Sequence, residues 1–174
     1  MEPMMPPTRM VLMGVAGSGK TSVGAALART LAVPYRDGDD LHPAANIAKM
    51  QRGEPLTDAD RWPWLALVGQ SLGRDAPLII GCSALKRSYR DHITAKAGGP
   101  VLFIHLSGAR DVIEARMRAR TGHFMPPALL DSQFATLEPP QPDEMAITVD
   151  IANPLDAVIA EIVQRIGADS RRAT

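Results

Sequence analysis

Glycines, a lysine and a threonine near the N-terminus have the types and spacing of a phosphate-binding loop. Residues 14–21 read GVAGSGKT and match G-x-x-x-x-G-K-[ST] at every fixed position. An apolar run at 10–13 precedes the loop, and a helix-prone run at 21–31 follows it. Strand, glycine loop and helix in this order form the context in which the motif binds a nucleoside triphosphate.

Each part of this loop has a chemical reason. The glycines let the backbone approach an anion closely, and the loop N–H groups and the positive helix end face the phosphates. Lys20 is expected to bridge the β- and γ-phosphates, and Thr21 to offer its hydroxyl to Mg²⁺. A glycine-rich turn with a surface lysine is the alternative, which the complete and correctly flanked motif disfavours. The predicted nucleotide-binding residues are Gly14, Ala16, Gly17, Ser18, Gly19, Lys20, Thr21 and Ser22.

Acidic residues crowd the loop after the second predicted strand. Asp39 is the candidate that contacts or deprotonates an attacking hydroxyl, and Asp37 is the candidate for the Mg²⁺ shell through water. The alternative is a solvated acidic turn that caps the next helix, which is the expected role of Asp40. His42 either hydrogen-bonds a substrate or fixes the turn ahead of Pro43, and the sequence leaves both open.

Basic side chains follow the third predicted strand. Lys86 and Arg90 are four residues apart and would share a helix face that suits an anionic ligand. An amphipathic helix start with solvated charges explains the same spacing equally well. Asn46, Lys49 and Arg61 could also lean over the site, although each taken alone has the character of a surface residue.

A second pair of arginines, Arg116 and Arg120, shares one face of a predicted helix. The stretch 121–127 that follows is rich in glycine and proline, so we expect a lid whose arginines neutralise charge and exclude water. A solvated basic face is the alternative. The proline-rich loop 137–145 is a candidate for contact with the adenine end, which the sequence does not settle.

Composition limits the classes of function. The 174 residues are enough for one domain, and Lys+Arg and Asp+Glu number 19 each. A net charge of zero argues against nucleic acid or a membrane surface as the main partner. The single cysteine excludes an internal disulfide and fits a reducing cytosol, and we see neither a signal peptide nor an apolar run long enough to span a membrane.

Apolar runs alternate with helical patterns along the chain, which predicts an α/β fold with a parallel sheet covered by helices on both faces. We expect a disordered tail at 1–7, one domain at 8–167 with a lid at about 116–136, and a frayed end at 168–174. Predicted strands are 9–13, 34–36, 78–82, 101–106 and 146–149; predicted helices are 20–31, 44–51, 59–72, 89–97, 110–120, 128–136 and 155–166.

Several motifs together resemble the gluconate kinases of the small P-loop type, over about residues 9–165. They are Gly14-x4-GlyLysThr, Asp37-Gly38-Asp39-x2-HisPro, Asn46-x2-LysMet, Pro55-Leu56-x-Asp58-x-AspArg-x-ProTrp, CysSerAlaLeuLys from Cys82, TyrArgAsp from Tyr89, and ThrGlyHisPhe from Thr121. The phosphate-binding loop alone would indicate only a nucleotide. The Asp-Gly-Asp and CysSerAlaLeuLys stretches are far more specific.

The resemblance implies a three-layer P-loop kinase fold, like that of shikimate and nucleoside monophosphate kinases, with sheet order 2-3-1-4-5. It also implies transfer of the ATP γ-phosphate to the 6-hydroxyl of D-gluconate, with Mg²⁺, in a cytoplasmic homodimer. The alternatives are the same chemistry on another small hydroxy acid such as shikimate, or a nucleotide-dependent switch. Lys20, Asp39, Arg116 and Arg120 would be catalytic; the substrate residues would be Asp39, His42, Lys49, Lys86, Arg90 and His123.

Overall fold

Five strands form a single parallel sheet in a computed structural model that describes residues 7–119 and 127–172. The strands are β1 (Arg9–Met13), β2 (Tyr35–Asp37), β3 (Leu78–Gly81), β4 (Leu102–Ser107) and β5 (Ala146–Asp150). Their order is β2-β3-β1-β4-β5, so β1 lies at the centre between β3 and β4. This confirms the α/β class and the sheet order that the resemblance implied.

Seven α-helices and one 3-10 helix complete the described part of the chain. They are α1 (Lys20–Leu31), the 3-10 helix (Gly38–Leu41), α2 (Ala44–Gln51), α3 (Asp58–Arg74), α4 (Arg87–Ala97), α5 (Arg110–Ala119), α6 (Pro127–Thr136) and α7 (Leu155–Arg172). The helix α7 ends six residues beyond its predicted end at 166, and the 3-10 helix was not predicted. No helix within the described residues is long and apolar enough to cross a membrane.

Two apolar layers enclose the sheet because successive strand residues point to opposite faces. In β1, Met10 and Leu12 face the layer under α1 and α7, whereas Val11 and Met13 face the layer under α3 and α4. All four side chains are fully buried. A central strand buried on both faces explains why β1 reads as a continuous apolar run rather than an alternating one.

The beginning of α3 is fixed by a capping box. The Thr57 hydroxyl accepts a hydrogen bond from the Asp60 N–H at 3.2 Å, and the Asp60 carboxylate accepts one from the Thr57 N–H at 2.9 Å. A threonine followed three residues later by an acidic residue is the local pattern that forms such a box. It matters for the site because α3 carries several polar side chains toward the carboxyl ends of β2 and β3.

Candidate active site

The glycine loop after β1 has the backbone conformation of an anion-binding turn. Gly17 and Gly19 have φ of +80° and +93°, a left-handed region that favours glycine. At Gly17 a side chain would also meet Met117 of α5, since a Cβ there would lie 2.6 Å from its Cγ. Gly19 caps α1 from this conformation, so the loop leads directly into the positive end of a twelve-residue helix.

The ammonium of Lys20 lies against the first arm of this loop. Its Nζ donates hydrogen bonds to the carbonyl oxygens of Gly14 at 2.9 Å and Val15 at 3.1 Å. A terminal phosphate could exchange with these neutral acceptors, because an anionic oxygen makes a stronger hydrogen bond with an ammonium group. The neighbouring Thr21 and Ser22 side chains are exposed.

Ser18 contributes to the loop differently from its neighbours. Its side chain is fully buried, and its N–H donates to the Val15 carbonyl at 3.2 Å. Within the described residues, its hydroxyl oxygen has no hydrogen-bond partner. Ser18 therefore shapes the turn, and its predicted contact with the nucleotide remains a prediction.

The side chain of Gln133 in α6 is hydrogen-bonded to the glycine loop. The Ala16 N–H donates to Oε1 of Gln133 at 2.6 Å, across 117 residues of sequence. The Gln133 amide oxygen therefore accepts a hydrogen bond from a loop N–H group that the motif predicts to bind phosphate. Sequence reasoning missed Gln133, because nothing in the local pattern of α6 distinguishes it from other polar helix residues.

The acidic loop after β2 is ordered by its own carboxylates. Asp37 caps the 3-10 helix, and its Oδ1 accepts a hydrogen bond from the Asp39 N–H at 2.9 Å. The Asp39 side chain is 79% exposed, so its carboxylate is open to solvent rather than packed in the core. Desolvation by the surrounding residues and the neighbouring Asp37 charge nevertheless raise the pKa of Asp39, while His42 and Lys20 act in the opposite direction.

His42 lies behind Asp39 and is itself held on two sides. Its ring stacks on Trp64 with centroids 4.1 Å apart, and its Nε2 lies 3.9 Å from Oδ1 of Asp39. The Nδ2 of Asn46 donates to the Asp60 carbonyl at 3.0 Å, and this bond fixes the orientation of the Asn46 amide. The same Nδ2 lies 3.2 Å from Nδ1 of His42, so Nδ2 must be the donor there as well and Nδ1 the acceptor. The imidazole proton is thereby assigned to Nε2, toward Asp39. Burial lowers the pKa of His42, which favours this neutral form.

Trp64 also fixes the acidic loop directly. Its indole Nε1 donates to the Gly38 carbonyl at 2.8 Å, and the side chain is buried. The buried ring is a packing anchor, and this hydrogen bond gives it a specific attachment point. Asp39 is therefore presented by a loop that α3 holds from behind.

A second group of charged residues surrounds Asp58 at the start of α3. Tyr89 donates its hydroxyl to Oδ1 at 2.5 Å, Lys86 lies 3.4 Å from Oδ2, and Arg61 lies 3.3 Å from Oδ1. The hydrogen bond from Tyr89, followed by the charges of Lys86 and Arg61, lowers the pKa of Asp58. The charge of Arg61 in turn lowers the pKa of His42, which places this cluster beside the acidic loop.

Lys49 has a strong partner in the structure. Its Nζ donates to Oδ2 of Asp60 at 2.7 Å, and this bond is the main reason that the pKa of Asp60 falls to about 2. The pair joins α2 to the beginning of α3. Lys49 thus stays near the wall that carries His42 and Asn46, and its contact with substrate stays a prediction.

Arg90 does not share an exposed face with Lys86, contrary to the expectation from their spacing. Its side chain is 1% exposed and pairs with Glu144 at 2.7 Å and 3.2 Å. The remaining guanidinium hydrogens go to the carbonyl oxygens of Ala84, Leu85 and Glu138. Lys86 precedes α4 as its cap, whereas Arg90 turns inward one turn later. This geometry has Arg90 fasten loop 137–145 to α4, and its predicted contact with substrate stays a prediction.

A cavity of about 360 Å³ lies on the other side of the glycine loop. It is bounded by the start of α1, by Arg116 and Ala119 of α5, and by the segment 151–158 after β5. Arg116 donates from its guanidinium to the Ile151 carbonyl oxygen. The cavity suits a nucleoside attached to loop-bound phosphates. Loop 137–145, the candidate from sequence, lies instead against α4.

Several polar groups near Thr21 fit a magnesium ion only together with phosphate and water. Tyr35 hydrogen-bonds Thr21, and burial together with the Asp37 charge raises the pKa of Tyr35 to about 12. Its ring fills the space where Gly24 and Gly81 lack side chains. Within 7–119 and 127–172, no three His, Cys, Asp or Glu side chains are grouped to hold a metal. Mg²⁺ in kinases commonly takes few protein ligands, so this donor set is compatible with it.

The predicted lid is described only in part. Arg116 lies at the cavity, with its NH1 3.5 Å from the position of a Cβ on Gly19. Arg120 and His123 lie outside the described residues. The roles predicted for these two residues therefore remain predictions.

Comparison with known proteins gives a consistent set of relatives. The chain is 43% identical to a gluconokinase of Gluconobacter oxydans (strain 621H), covering 94% of this chain and 93% of the relative. It is 46% identical to the thermosensitive gluconokinase of Escherichia coli (strain K12), covering 90% and 86%. No protein-family model matches the chain.

Solved structures agree with these relatives. A crystal structure of a gluconokinase from Sinorhizobium meliloti 1021 is 46% identical, has a TM-score of 0.88, and covers 96% of this chain and 95% of its own. The shikimate kinase from Aquifex aeolicus vf5 has a TM-score of 0.59 at 17% identity, over 93% and 98%. This distant likeness concerns the fold alone.

Proposed function

The chain belongs to the gluconokinase family and is a gluconate kinase, and we propose that it phosphorylates the 6-hydroxyl of D-gluconate with ATP. The products would be 6-phospho-D-gluconate and ADP. One observation carries the proposal to this chain's own residues. The exposed Asp39 carboxylate has a raised pKa, and the Lys20 ammonium lies close enough for its charge to oppose that shift. The relatives do not favour another hydroxy acid or a nucleotide-dependent switch.

The proposed reaction is a direct phosphoryl transfer. The 6-hydroxyl oxygen forms a bond to the γ-phosphorus while the bond from that phosphorus to the β–γ bridging oxygen breaks, and ADP carries the released electron pair. The hydroxyl proton passes to the Asp39 carboxylate. The raised pKa of Asp39 favours this step, because proton transfer is most efficient when the base approaches the operating pH.

His42 supports the base without titrating itself. Its Nε2–H faces the Asp39 carboxylate, and its neutral form is favoured by burial. Trp64 and Asn46 fix the ring, so the carboxylate keeps one orientation toward the substrate. His42 is therefore proposed as a positioning residue that also lines the substrate site.

Gluconate is an anion, and the cluster around Asp58 can bind its carboxylate. Arg61 and Lys86 each lie within 3.4 Å of Asp58, so this cluster of three carries a net positive charge. Tyr89 orients Asp58 and lies under both cations, with Arg61 5.7 Å and Lys86 5.5 Å from its ring centroid. Sequence reasoning treated Arg61 as an ordinary surface residue, and its place here makes it a substrate candidate beside Lys86 and Lys49.

ATP use follows from the kinases that the chain resembles, and the glycine loop and the cavity supply its site. The loop N–H groups and Lys20 would bind the phosphates, and Arg116 would lie beside them at the cavity. Thr21 directly and Asp37 through water would hold Mg²⁺, which neutralises phosphate charge when bound. Arg120 and His123 complete the proposed lid and substrate set.

Three broader features belong to the same proposal. The chain is taken as one kinase domain at 8–167, it would act as a homodimer, and it would work in the cytoplasm with a small-molecule substrate. The resemblance of the whole set of motifs supports these features. Size measurement by light scattering on the full chain tests the dimer.

A coupled ADP-release assay tests the function. Purified enzyme with Mg²⁺ and ATP is given D-gluconate, shikimate, D-glucose or D-galactonate in separate reactions. We expect D-gluconate to raise turnover far above that with no acceptor, and Lys20→Met to abolish the increase. A larger increase with another acid would replace the substrate, and no increase with any acceptor would favour a slow nucleotide switch.

A further inference from the structure

The contact between Gln133 and the glycine loop engages a group that the proposed reaction needs. The Ala16 N–H points at Oε1 of Gln133 at 2.6 Å, shorter than the usual N–H···O distance near 2.9 Å. A backbone N–H can only donate, so the end of the Gln133 amide at this contact must be the oxygen. The Nε2 amide group, bonded to the same Cδ as Oε1, then has two hydrogens to donate to other acceptors.

The position of Ala16 within the loop indicates which phosphate this group faces. Lys20 sends its ammonium to the carbonyl oxygens of Gly14 and Val15, the residues directly before Ala16. The nucleoside cavity lies at the other end of the loop, along Gly17 and Gly19. A nucleotide that extends from the cavity toward the Lys20 ammonium would therefore place its γ-phosphate beside Ala16.

The helix that carries Gln133 is anchored in the core. Leu130, one turn earlier in α6, is 2% exposed and belongs to the same apolar layer as Val15 and Ile113. Phe134, the residue after Gln133, packs against that layer as well. Gln133 is thus held at a defined distance from the loop by apolar packing in addition to its own hydrogen bond.

We propose that Gln133 is a γ-phosphate-binding residue: Oε1 keeps the Ala16 N–H while Nε2 donates to a γ-phosphate oxygen of ATP. The inference rests on the ATP use in the proposed function and extends it to a residue outside the glycine motif. The amide would bridge the loop and the transferring group, so it distinguishes a triphosphate from a diphosphate. A diphosphate leaves Nε2 facing water.

Nucleotide binding without gluconate tests this role. Calorimetric titration measures Kd for Mg²⁺–ADP and for a non-hydrolysable Mg²⁺–ATP analogue in wild type, Gln133→Met and Gln133→Glu. We expect Gln133→Met to weaken the analogue about 10-fold, the size expected for a hydrogen bond to a charged group, and to leave ADP within about 2-fold. Gln133→Glu keeps an oxygen for Ala16 but places a negative charge at the γ-phosphate, so its loss for the analogue should be larger.

Ser132→Ala is the matched control, because Ser132 is the exposed neighbour of Gln133 on α6. Thermal unfolding of each variant reports folding, and Gln133→Glu serves if Gln133→Met does not fold. Equal weakening of both nucleotides would give Gln133 a purely structural role. Tighter binding of both would make it a competitor of phosphate, and an unchanged ratio would also overturn the proposal. Wild-type turnover with gluconate is a separate measurement, so a failed function and a failed Gln133 role are distinguishable.

Discussion

At the scale of single residues, Asp39 combines exposure with a perturbed carboxylate. Its side chain is 79% exposed, and its pKa is nevertheless raised by desolvation from the surrounding residues and by the Asp37 charge. As the proposed base, it must be deprotonated to accept the hydroxyl proton. Activity should therefore fall on the acid side at a higher pH than an ordinary aspartate would give.

Replacement of Asp39 by Asn should lower kcat by at least about 100-fold, the lower end of general-base contributions. The amide keeps the shape but cannot take the proton, so ATP binding should stay nearly intact. The coupled ADP-release assay and a nucleotide titration measure the two effects. Asp40→Asn is the control, because Asp40 is the exposed carboxylate next in sequence. Parental turnover by Asp39→Asn would remove the proposed role.

His105 of β4 should make the protein less stable in mild acid. Burial, and then the Arg90 charge, lower its pKa from 6.5 to about 4, and its Nδ1 has no partner within the described residues. Between these two pH values, His105 therefore binds a proton in the unfolded chain but stays neutral in the folded protein. The contribution of neutral His105 to the free energy of unfolding is present above pH 6.5 and is lost as the pH falls toward 4.

The size of this effect can be isolated by a variant. Between pH 7 and pH 5 the His105 contribution should remove about 2 kcal/mol from the free energy of unfolding. Urea unfolding of wild type and His105→Phe at both pH values measures it. The variant's fall should be smaller by that amount, whatever its absolute stability, and parallel falls would contradict the assignment.

At the scale of elements, local chemistry was predictable and long-range partners were not. The glycine loop and the capping box at Thr57 and Asp60 are each contained in a short stretch, so a local pattern is enough to predict them. The extra turns of α7 and the 3-10 helix have no such signal. The inward turn of Arg90 depends on Glu144, which lies 54 residues away and looks like any surface acid in the sequence.

Loop 137–145 and α4 offer a direct test of the two roles considered for Arg90. Glu144→Gln leaves the buried guanidinium without its charge partner, so it should destabilise folding by roughly 3–5 kcal/mol with an unchanged KM for gluconate. Arg87→Ala breaks the neighbouring pair with Asp143, whose side chains are 42% and 65% exposed, and should cost less than about 1 kcal/mol. Urea unfolding and the coupled assay measure both variants. A raised KM in stably folded Glu144→Gln would return Arg90 to the substrate site.

At the scale of the whole molecule, both faces of the sheet contribute to one site. In the proposed function, the nucleotide would bind at α1, α5 and the segment after β5, whereas the substrate would bind at the acidic loop, α3 and α4. The carboxyl ends of the parallel strands bring these groups together. The sequence predicts that acidic and basic side chains follow the carboxyl ends of these strands. It gave no sign of Ile151 and Asn153 at the cavity, because apolar and amide side chains there carry no titratable signature.

Nucleotide binding should stabilise the entire fold. Mg²⁺–ADP at 100 times its Kd adds about 2.7 kcal/mol to the free energy of unfolding. For a chain of 174 residues this corresponds to a rise in Tm of roughly 5–10 °C. Thermal scans with increasing nucleotide measure the rise, and Lys20→Met should lose most of it. A full shift in Lys20→Met would show that the glycine loop is not the main binding site.

The placement of Tyr35 constrains how this sequence can diverge. Its ring and hydroxyl fill the space in which a side chain at Gly24 or Gly81 would have to sit. A side chain at Gly24 or at Gly81 is therefore blocked for as long as Tyr35 stays unchanged. Among homologues, an alanine at the position of Gly24 or Gly81 should be inherited together with a smaller residue than tyrosine at position 35, so the three should covary.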